Sequence, residues 1–330
     1  MPQFIILIFI ALLMIVSKLF FFNLEKEYAS SFPGRIELIS LIGIFIVGSA
    51  SFIKKLRLRK LLLVKRSFFK IETSSLLLII LTLIVVGASI FINLNKGYIH
   101  WDAIALYDAR AKFLEQGMKF SDMPALSKFD NLNKYYYLLY PPYTSVIHYY
   151  WDSAFNVSKL PVGLFYSLNL FLLVFGVFLL TRKTVGEKTA AFLSLLTASN
   201  NIIFLISVNE YTNLPYTLYL VLGIFLLFNY LQKERLWELL FGIFFISTSI
   251  WIRFLEPIWF VIFLSFVLVF LFEKALKSKI FPVILMLVFC LIEYFSWSYF
   301  VAVIGKNPSV LNFSLIALIE PLLGFLTGRG

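Results

Sequence analysis

Gly97-Tyr98-Ile99-His100-Trp101-Asp102-Ala103-Ile104-Ala105-Leu106-Tyr107-Asp108-Ala109-Arg110-Ala111-Lys112 opens the only long polar interval of this chain, 93–163. The interval continues through Tyr135-Tyr136-Tyr137-Leu138-Leu139-Tyr140-Pro141-Pro142-Tyr143 to His148-Tyr149-Tyr150-Trp151-Asp152. It holds both histidines and a third of the acidic residues: Asp102, Asp108, Glu115, Asp122, Asp130 and Asp152. Almost everything outside it is hydrophobic. That contrast predicts an all-α, polytopic transmembrane protein with one large extracytoplasmic loop carrying short interfacial helices. Any chemistry should be built mostly in that loop.

Composition supports this reading. The chain is 61% hydrophobic and 18% aromatic with a mean hydropathy of +0.90, whereas soluble domains carry about 45–50% apolar and about 25% charged residues. The net charge of +11 is distributed between hydrophobic runs, as expected where Lys and Arg hold loops on the cytoplasmic side. It therefore points to membrane lipids as neighbours and to no nucleic-acid partner. Cys290, the one cysteine, lies inside a hydrophobic run, leaving no intramolecular disulfide and no cysteine metal cluster. The first apolar run exceeds the 7–15 residues of a signal peptide's core and has no small-x-small cleavage pattern after it. It reads as a retained helix whose Lys18 snorkels or faces protein.

A helix needs about 20 apolar residues to cross the hydrocarbon core. Spans are expected at 4–22, 36–53, 76–92, 164–181, 189–207, 215–231, 239–254, 257–272, 280–304 and 310–326, about ten in all. The basic block Lys54, Lys55, Arg57, Arg59 and Lys60, continuing to Lys65, Arg66 and Lys70, belongs in the cytoplasm by the positive-inside rule. Counting onward, Arg182 and Lys183, then Lys233 and Arg235, then Lys274, Lys277 and Lys279 fall on the same side. The loop 93–163, the turn 208–214 and the corner 253–256 share the opposite face. The chain divides into 1–75, a two-helix segment with its basic loop, and 76–330, the module carrying the polar interval. No internal repeat suggests an inverted-repeat transporter.

On a helix over 101–116, Asp102, Ala105, Leu106, Ala109 and Phe113 form one stripe, with Arg110 and Lys112 elsewhere. A carboxylate at the buried end of an interfacial helix suits a general base, because desolvation raises its pKa and so its basicity, and an attacking hydroxyl must lose a proton. Asp is equally common as a helix N-cap, so both roles stay open for Asp102. Asp108 stands four residues before Lys112, the spacing of a solvated ion pair. The prolines of Tyr140-Pro141-Pro142-Tyr143 end any helix and set an extended turn. The rings around them, Tyr140 and Tyr143 among them, form either an aromatic belt at headgroup level or a platform for a sugar or lipid. His148 is a proton shuttle or a structural residue.

Asn209-Glu210-Tyr211-Thr212-Asn213-Leu214-Pro215 brings a second carboxylate to the same face. Glu210 with Asp102 can divide base and orienting roles or hold a divalent cation through oxygen ligands; no cofactor is otherwise indicated. Trp251-Ile252-Arg253-Phe254-Leu255-Glu256-Pro257 adds a cation. Arg253 can grip a phosphate with its planar fork or pair with Glu256 at i, i+3. Glu293 and Glu320 lie in or beside the late spans.

The run from Trp101-Asp102 through Tyr107 and Ala109-Arg110-Ala111-Lys112 to Tyr140-Pro141-Pro142 and Trp151 resembles the first extracytoplasmic loop of the GT-C membrane glycosyltransferases. The bacterial branch similar to protein O-mannosyltransferases and the aminoarabinose transferase of lipid A is the nearest likeness. Tyr211-Thr212-Asn213-Leu214-Pro215 resembles that branch's Tyr-Ala-Asp-Leu-Pro, and Arg253 with Glu256 its basic-and-acidic corner. The likeness covers roughly 76–260. It implies a bacterial plasma-membrane enzyme that moves a sugar from a polyprenyl-phosphate donor to a lipid, glycan or protein acceptor on the extracytoplasmic face. The family's acidic loop residue falls on Asp102. Arg253, Arg110 and Lys112 would meet the lipid phosphate, and Tyr140, Tyr143, His148 and Glu256 the substrate. Asn213 stands where the branch often has Asp, which leaves Glu210 as the substitute, and two extra spans precede the family's usual first helix. A transporter of lipid or polysaccharide without transfer chemistry is the rival expectation; it predicts charges in the middle of several spans.

Overall fold

An apolar run in hydrocarbon satisfies its backbone by bonding it internally as helix, and every regular element among the described residues is helical. The computed structural model describes residues 2–61, 72–96, 103–123, 140–155, 160–254, 258–272 and 280–303. In chain order the helices are α1 (Pro2–Leu24), α2 (Lys26–Ser30), α3 (Phe32–Leu61), α4 (Thr73–Asn95), a π-helix (Ala103–Asp108) running into α5 (Ala109–Glu115), and α6 (Tyr143–Ala154). They continue with α7 (Gly163–Val185), α8 (Glu187–Ser199), α9 (Asn201–Val208), α10 (Asn213–Lys233), α11 (Leu236–Ser249), α12 (Ile258–Phe272) and α13 (Ile280–Val303).

Six of these are long and apolar enough to cross a membrane: Phe4–Leu24, Phe32–Lys54, Thr73–Asn95, Gly163–Arg182, Asn213–Lys233 and Phe281–Ala302. The span expected at 189–207 is broken. Helices α8 and α9 meet at a 57° bend, because Asn200 is extended (ψ 120°) and its side chain accepts the backbone N–H of Ile203 at 3.2 Å, starting a new helix. Counted as one, the bent pair brings the number to seven. The expected spans at 239–254 and 257–272 are shorter apolar helices, Leu236–Ser249 and Ile258–Leu268. The expected span 310–326 and Glu320 lie outside the described residues. Outward rows such as Leu77, Ile80, Ile84 and Phe91 on α4 are exposed, a surface suited to hydrocarbon rather than water.

Helices α4, α8, α7, α10 and α11 pack in that sequence, and α11 in turn carries α3 and α13. The tightest crossing joins α10 to α11 at two glycines. A Cβ on Gly223 would stand 2.5 Å from Ile246 Cγ1 and 3.0 Å from the Gly242 carbonyl oxygen, so only small residues let these backbones meet. Phe4 stacks on Phe52 at one end of the bundle, with centroids 3.5 Å apart. At the other end Glu25 accepts the backbone N–H and hydroxyl of Ser121 at 2.8 and 3.0 Å. The N-terminal helices are thus tied to the polar loop.

Within the helix expected over 101–116, the described residues from Ala103 on depart from the expected stripe. The π-helix winds more residues per turn than an α-helix, and the buried positions become Ala103, Leu106, Tyr107, Asp108, Arg110, Ala111 and Leu114. Ala105, Ala109 and Phe113 are only half-buried. The prolines open a helix instead of ending one. Pro142 has helical backbone angles and its carbonyl accepts Val146 N–H at 2.9 Å, a use of proline at a helix start where no N–H is needed.

Candidate functional site

Thr212 is the joint at which the three separated polar segments meet. It sits between α9 and α10, accepts a hydrogen bond from Thr144 of α6 at 3.0 Å, and donates toward the Ile252 carbonyl past α11 at 3.5 Å. The loop, the 208–214 turn and the 250–254 corner are therefore neighbours.

Glu210 is buried in that turn. Its φ of 62° lies in the left-handed region, which costs a residue other than glycine about 1–3 kcal/mol. Its Oε1 is 3.4 Å from Lys96 Nζ, and Lys96 also donates to the Val208 carbonyl at 2.5 Å. Asn93 donates to Ser167 Oγ at 2.8 Å and to the Ser207 carbonyl at 2.9 Å, which aims its own Oδ1 at Gly163. A Cβ on Gly163 would fall 2.6 Å from that oxygen and 2.8 Å from Glu210 Oε1. Glycine is needed there to let the carboxylate and the amide approach the start of α7.

Arg253 donates to Asn213 Oδ1, at the first residue of α10, and its guanidinium lies 6.0 Å over the Tyr140 ring. Asn213, noted in the sequence as a departure from an expected Asp, thus serves as the acceptor for this cation. Glu256 and Asp102 lie outside the described residues, so neither the base position nor the Arg253–Glu256 pair is part of this geometry.

The remaining predicted residues divide. Arg110, expected off the buried stripe, is fully buried; it donates to the Tyr140 carbonyl at 2.8 Å and its guanidinium lies 4.8 Å over Phe120. It pins α5 to the proline turn. Lys112 pairs with Asp108 at 2.8 Å as its spacing predicts, but Asp108 is buried rather than solvated while Lys112 remains exposed. Hydrogen bonding to Asp108 holds the Lys112 ammonium above its ordinary range. Tyr140 is half-buried. Tyr143 and His148 are fully buried, so they form neither a headgroup belt nor an open platform. Tyr143 packs edge-on against Tyr219 and Trp251, and burial raises its hydroxyl pKa. His148 Nε2 hydrogen-bonds the Tyr166 hydroxyl at 2.9 Å. Burial pushes its imidazole down to about 4, against the pull of Asp108, so it is neutral at neutral pH.

Comparison with protein-family models, curated proteins and solved structures finds no match for this chain.

Two features of the site escaped the sequence reading. Asp152, one turn beyond His148 on α6, has its carboxyl pushed up to about 6 by burial and by the charges of Asp108 and Glu115. Lys96 lay within the polar interval and was given no role. Its place opposite Glu210 was signalled by nothing except the shared face. Among the described residues no group of three or more His, Cys, Asp or Glu side chains is placed to hold a metal ion.

Beside the joined segments runs an apolar groove of about 470 Å³ between α1, α6 and α7, lined by Leu12, Val16, Ile147, Trp151, Phe155 and Phe165. Leu12 and Val16 are exposed along α1, so the groove opens sideways where hydrocarbon would lie. Helix α6 forms one wall of it and, through Thr144 and His148, also belongs to the polar cluster.

Proposed function

We propose that the chain is a GT-C-like membrane glycosyltransferase, moving a sugar from a polyprenyl-phosphate donor to an acceptor on the extracytoplasmic face of a bacterial plasma membrane. The observation that carries this reading is the junction at Thr212, which brings the Glu210 and Arg253 segments against the loop. In this reading Asp102 takes the acceptor hydroxyl's proton and Glu210, held by Lys96, assists in orienting that hydroxyl. Arg253 neutralises the charge that develops on the leaving lipid phosphate, where a positioned cation is most effective. Arg110 supports the wall rather than the phosphate, given its burial. The groove beside α6 suits the donor's isoprenoid chain, and a lipid-borne donor accounts for a transferase embedded in the bilayer.

The test is transfer of labelled sugar from synthetic polyprenyl-phosphate sugars by the purified, reconstituted chain. Asp102→Asn and Glu210→Gln are compared with the parent at matched folded amounts. Removing a general base costs about 100–10,000-fold, so Asp102→Asn should lose at least about 100-fold in transfer with donor binding retained, and Glu210→Gln less. A parent that binds donor but transfers nothing across a broad acceptor panel would overturn the reading. It would favour the transporter, for which one observation speaks: Lys18, Glu37 and Glu293 are buried inside spans.

A further inference from the structure

The glycosyl-transfer reading makes no use of the cluster where the N-terminal helices meet α13. Lys18 of α1 donates to Glu37 Oε1 of α3 at 2.5 Å and to Glu293 Oε2 of α13. Tyr28 of α2 donates its hydroxyl to Glu37 Oε2 at 2.5 Å. Trp251, just past α11, covers the ammonium, with Nζ 5.4 Å from its ring centroid. Lys18 is 0%, Tyr28 1%, Glu37 3% and Glu293 5% exposed. At 1.5 Å per residue, Lys18 and Glu37 stand within about 10 Å of the helix ends at Leu24 and Phe32. The cluster lies below the membrane surface.

Its charges do not balance. One ammonium faces two carboxyl groups, and among the described residues no other lysine or arginine pairs with either. The other titratable groups around it are Tyr28 on α2 and Cys290 on α13. Both Glu37 oxygens accept hydrogen bonds, from Lys18 and from Tyr28. Glu293 accepts from the same ammonium through its Oε2, so the two carboxyl groups share one cation. Two buried carboxyl groups on one ammonium favour keeping one proton, since two anions side by side repel.

We propose that Lys18, Glu37 and Glu293 form an intramembrane proton-binding site, the proton residing on Glu293, which accepts from Lys18 through one oxygen while Glu37 is engaged at both. With it the cluster is neutral. Without it, one uncompensated negative charge is sealed in a low-dielectric interior, where it is costly, and α3 and α13 repel across their interface. The bound proton locks the N-terminal helices to α13. This site stands whether or not the chain transfers a sugar.

Infrared difference spectroscopy and pH-dependent melting of the full chain in lipid nanodiscs test it, with Glu293→Gln and Glu37→Gln. The parent should show a deuterium-sensitive carboxylic-acid carbonyl band at neutral pH that Glu293→Gln removes. Glu293→Gln should melt like the parent at neutral pH, since the amide mimics the neutral acid, and should lose the parent's fall in melting temperature as the pH rises. Glu37→Gln should melt lower at neutral pH. If it fails to fold, the parent and Glu293→Gln still decide the question. The proposal is overturned if no carboxylic band follows Glu293, or if both amides destabilise equally. Sodium restoring the alkaline melting temperature would also overturn it, by assigning the site to an alkali cation.

Discussion

His148 shows how a residue's surroundings reverse its sequence reading. An imidazole held at about 4, below its ordinary value near 6.5, binds protons more readily in the unfolded chain. Its contribution to stability is complete above about 6.5 and is lost as the pH falls toward 4, amounting to about 3 kcal/mol across that window. Asp152, raised to about 6 and half-exposed, works weakly in the opposite sense. The clean measurement is the difference in melting temperature between the parent and His148→Gln at pH 7 and pH 5. The parent should lose more on acidification than the variant does. At Gly163, an added methyl group would press on Asn93 Oδ1 and Glu210 Oε1; on the proposed glycosyl-transfer reading, where a displacement of about 1 Å in a catalytic group costs up to about 100-fold, Gly163→Ala should lower transfer by about 10–100-fold while the protein still folds. The Asp108–Lys112 pair was legible in the sequence because i, i+4 spacing fixes it within one helix. The burial of Asp108, Arg110 and His148 was not, because it depends on a π-helix that shifts the phase of one segment and on neighbours far along the chain.

Among the helices, the long spans were legible because length and apolarity suffice to define them. The break at Asn200 was hidden by the same measure: a hydropathy average over 189–207 does not register one extended residue, although Ser199-Asn200-Asn201 is itself a helix-start signal. Restoring a strong helix former there with Asn200→Leu removes the cap on Ile203 and should straighten α8 against α9. Electron-spin distances between labels at Phe192 and Ile202, both exposed, should then lengthen and narrow. The α10–α11 crossing makes a sharper demand. Gly223→Val would force three heavy atoms into a gap that leaves 2.5 Å to Ile246, and overpacking of this kind costs about 1–3 kcal/mol. A lower melting temperature in detergent, partly restored by Ile246→Ala, would identify steric crowding as the cause.

For the whole molecule, the basic loops are the ground for the proposed orientation, and the lone cysteine makes it testable. Cys290 is buried, so reporters at Asp122 and Lys188, both exposed, can be read singly. A membrane-impermeant maleimide added to intact cells should label Asp122→Cys and spare Lys188→Cys. The reverse pattern would place the candidate site in the cytoplasm and remove the basis for a lipid-linked outer-leaflet donor. What the sequence hid at this scale was the pairing of distant charges. Lys18 stood out within its apolar run, but its partners sit 19 and 275 residues away, and only the packing of α1, α3 and α13 brings them together. Removing the cation with Lys18→Met leaves buried carboxylates facing each other, a loss of about 3–5 kcal/mol that thermal unfolding in nanodiscs would register. That arrangement also imposes an order on biosynthesis. A ribosome delivers α1 and α3 first, and their Lys18 and Glu37 can enter the bilayer as a neutral hairpin. Helix α13 follows much later, and a charged carboxylate at a helix centre opposes insertion by about 2.5–3.5 kcal/mol. Glu293 therefore enters most readily already carrying its proton, and the early hairpin waits, half-assembled, for a neutral latecomer.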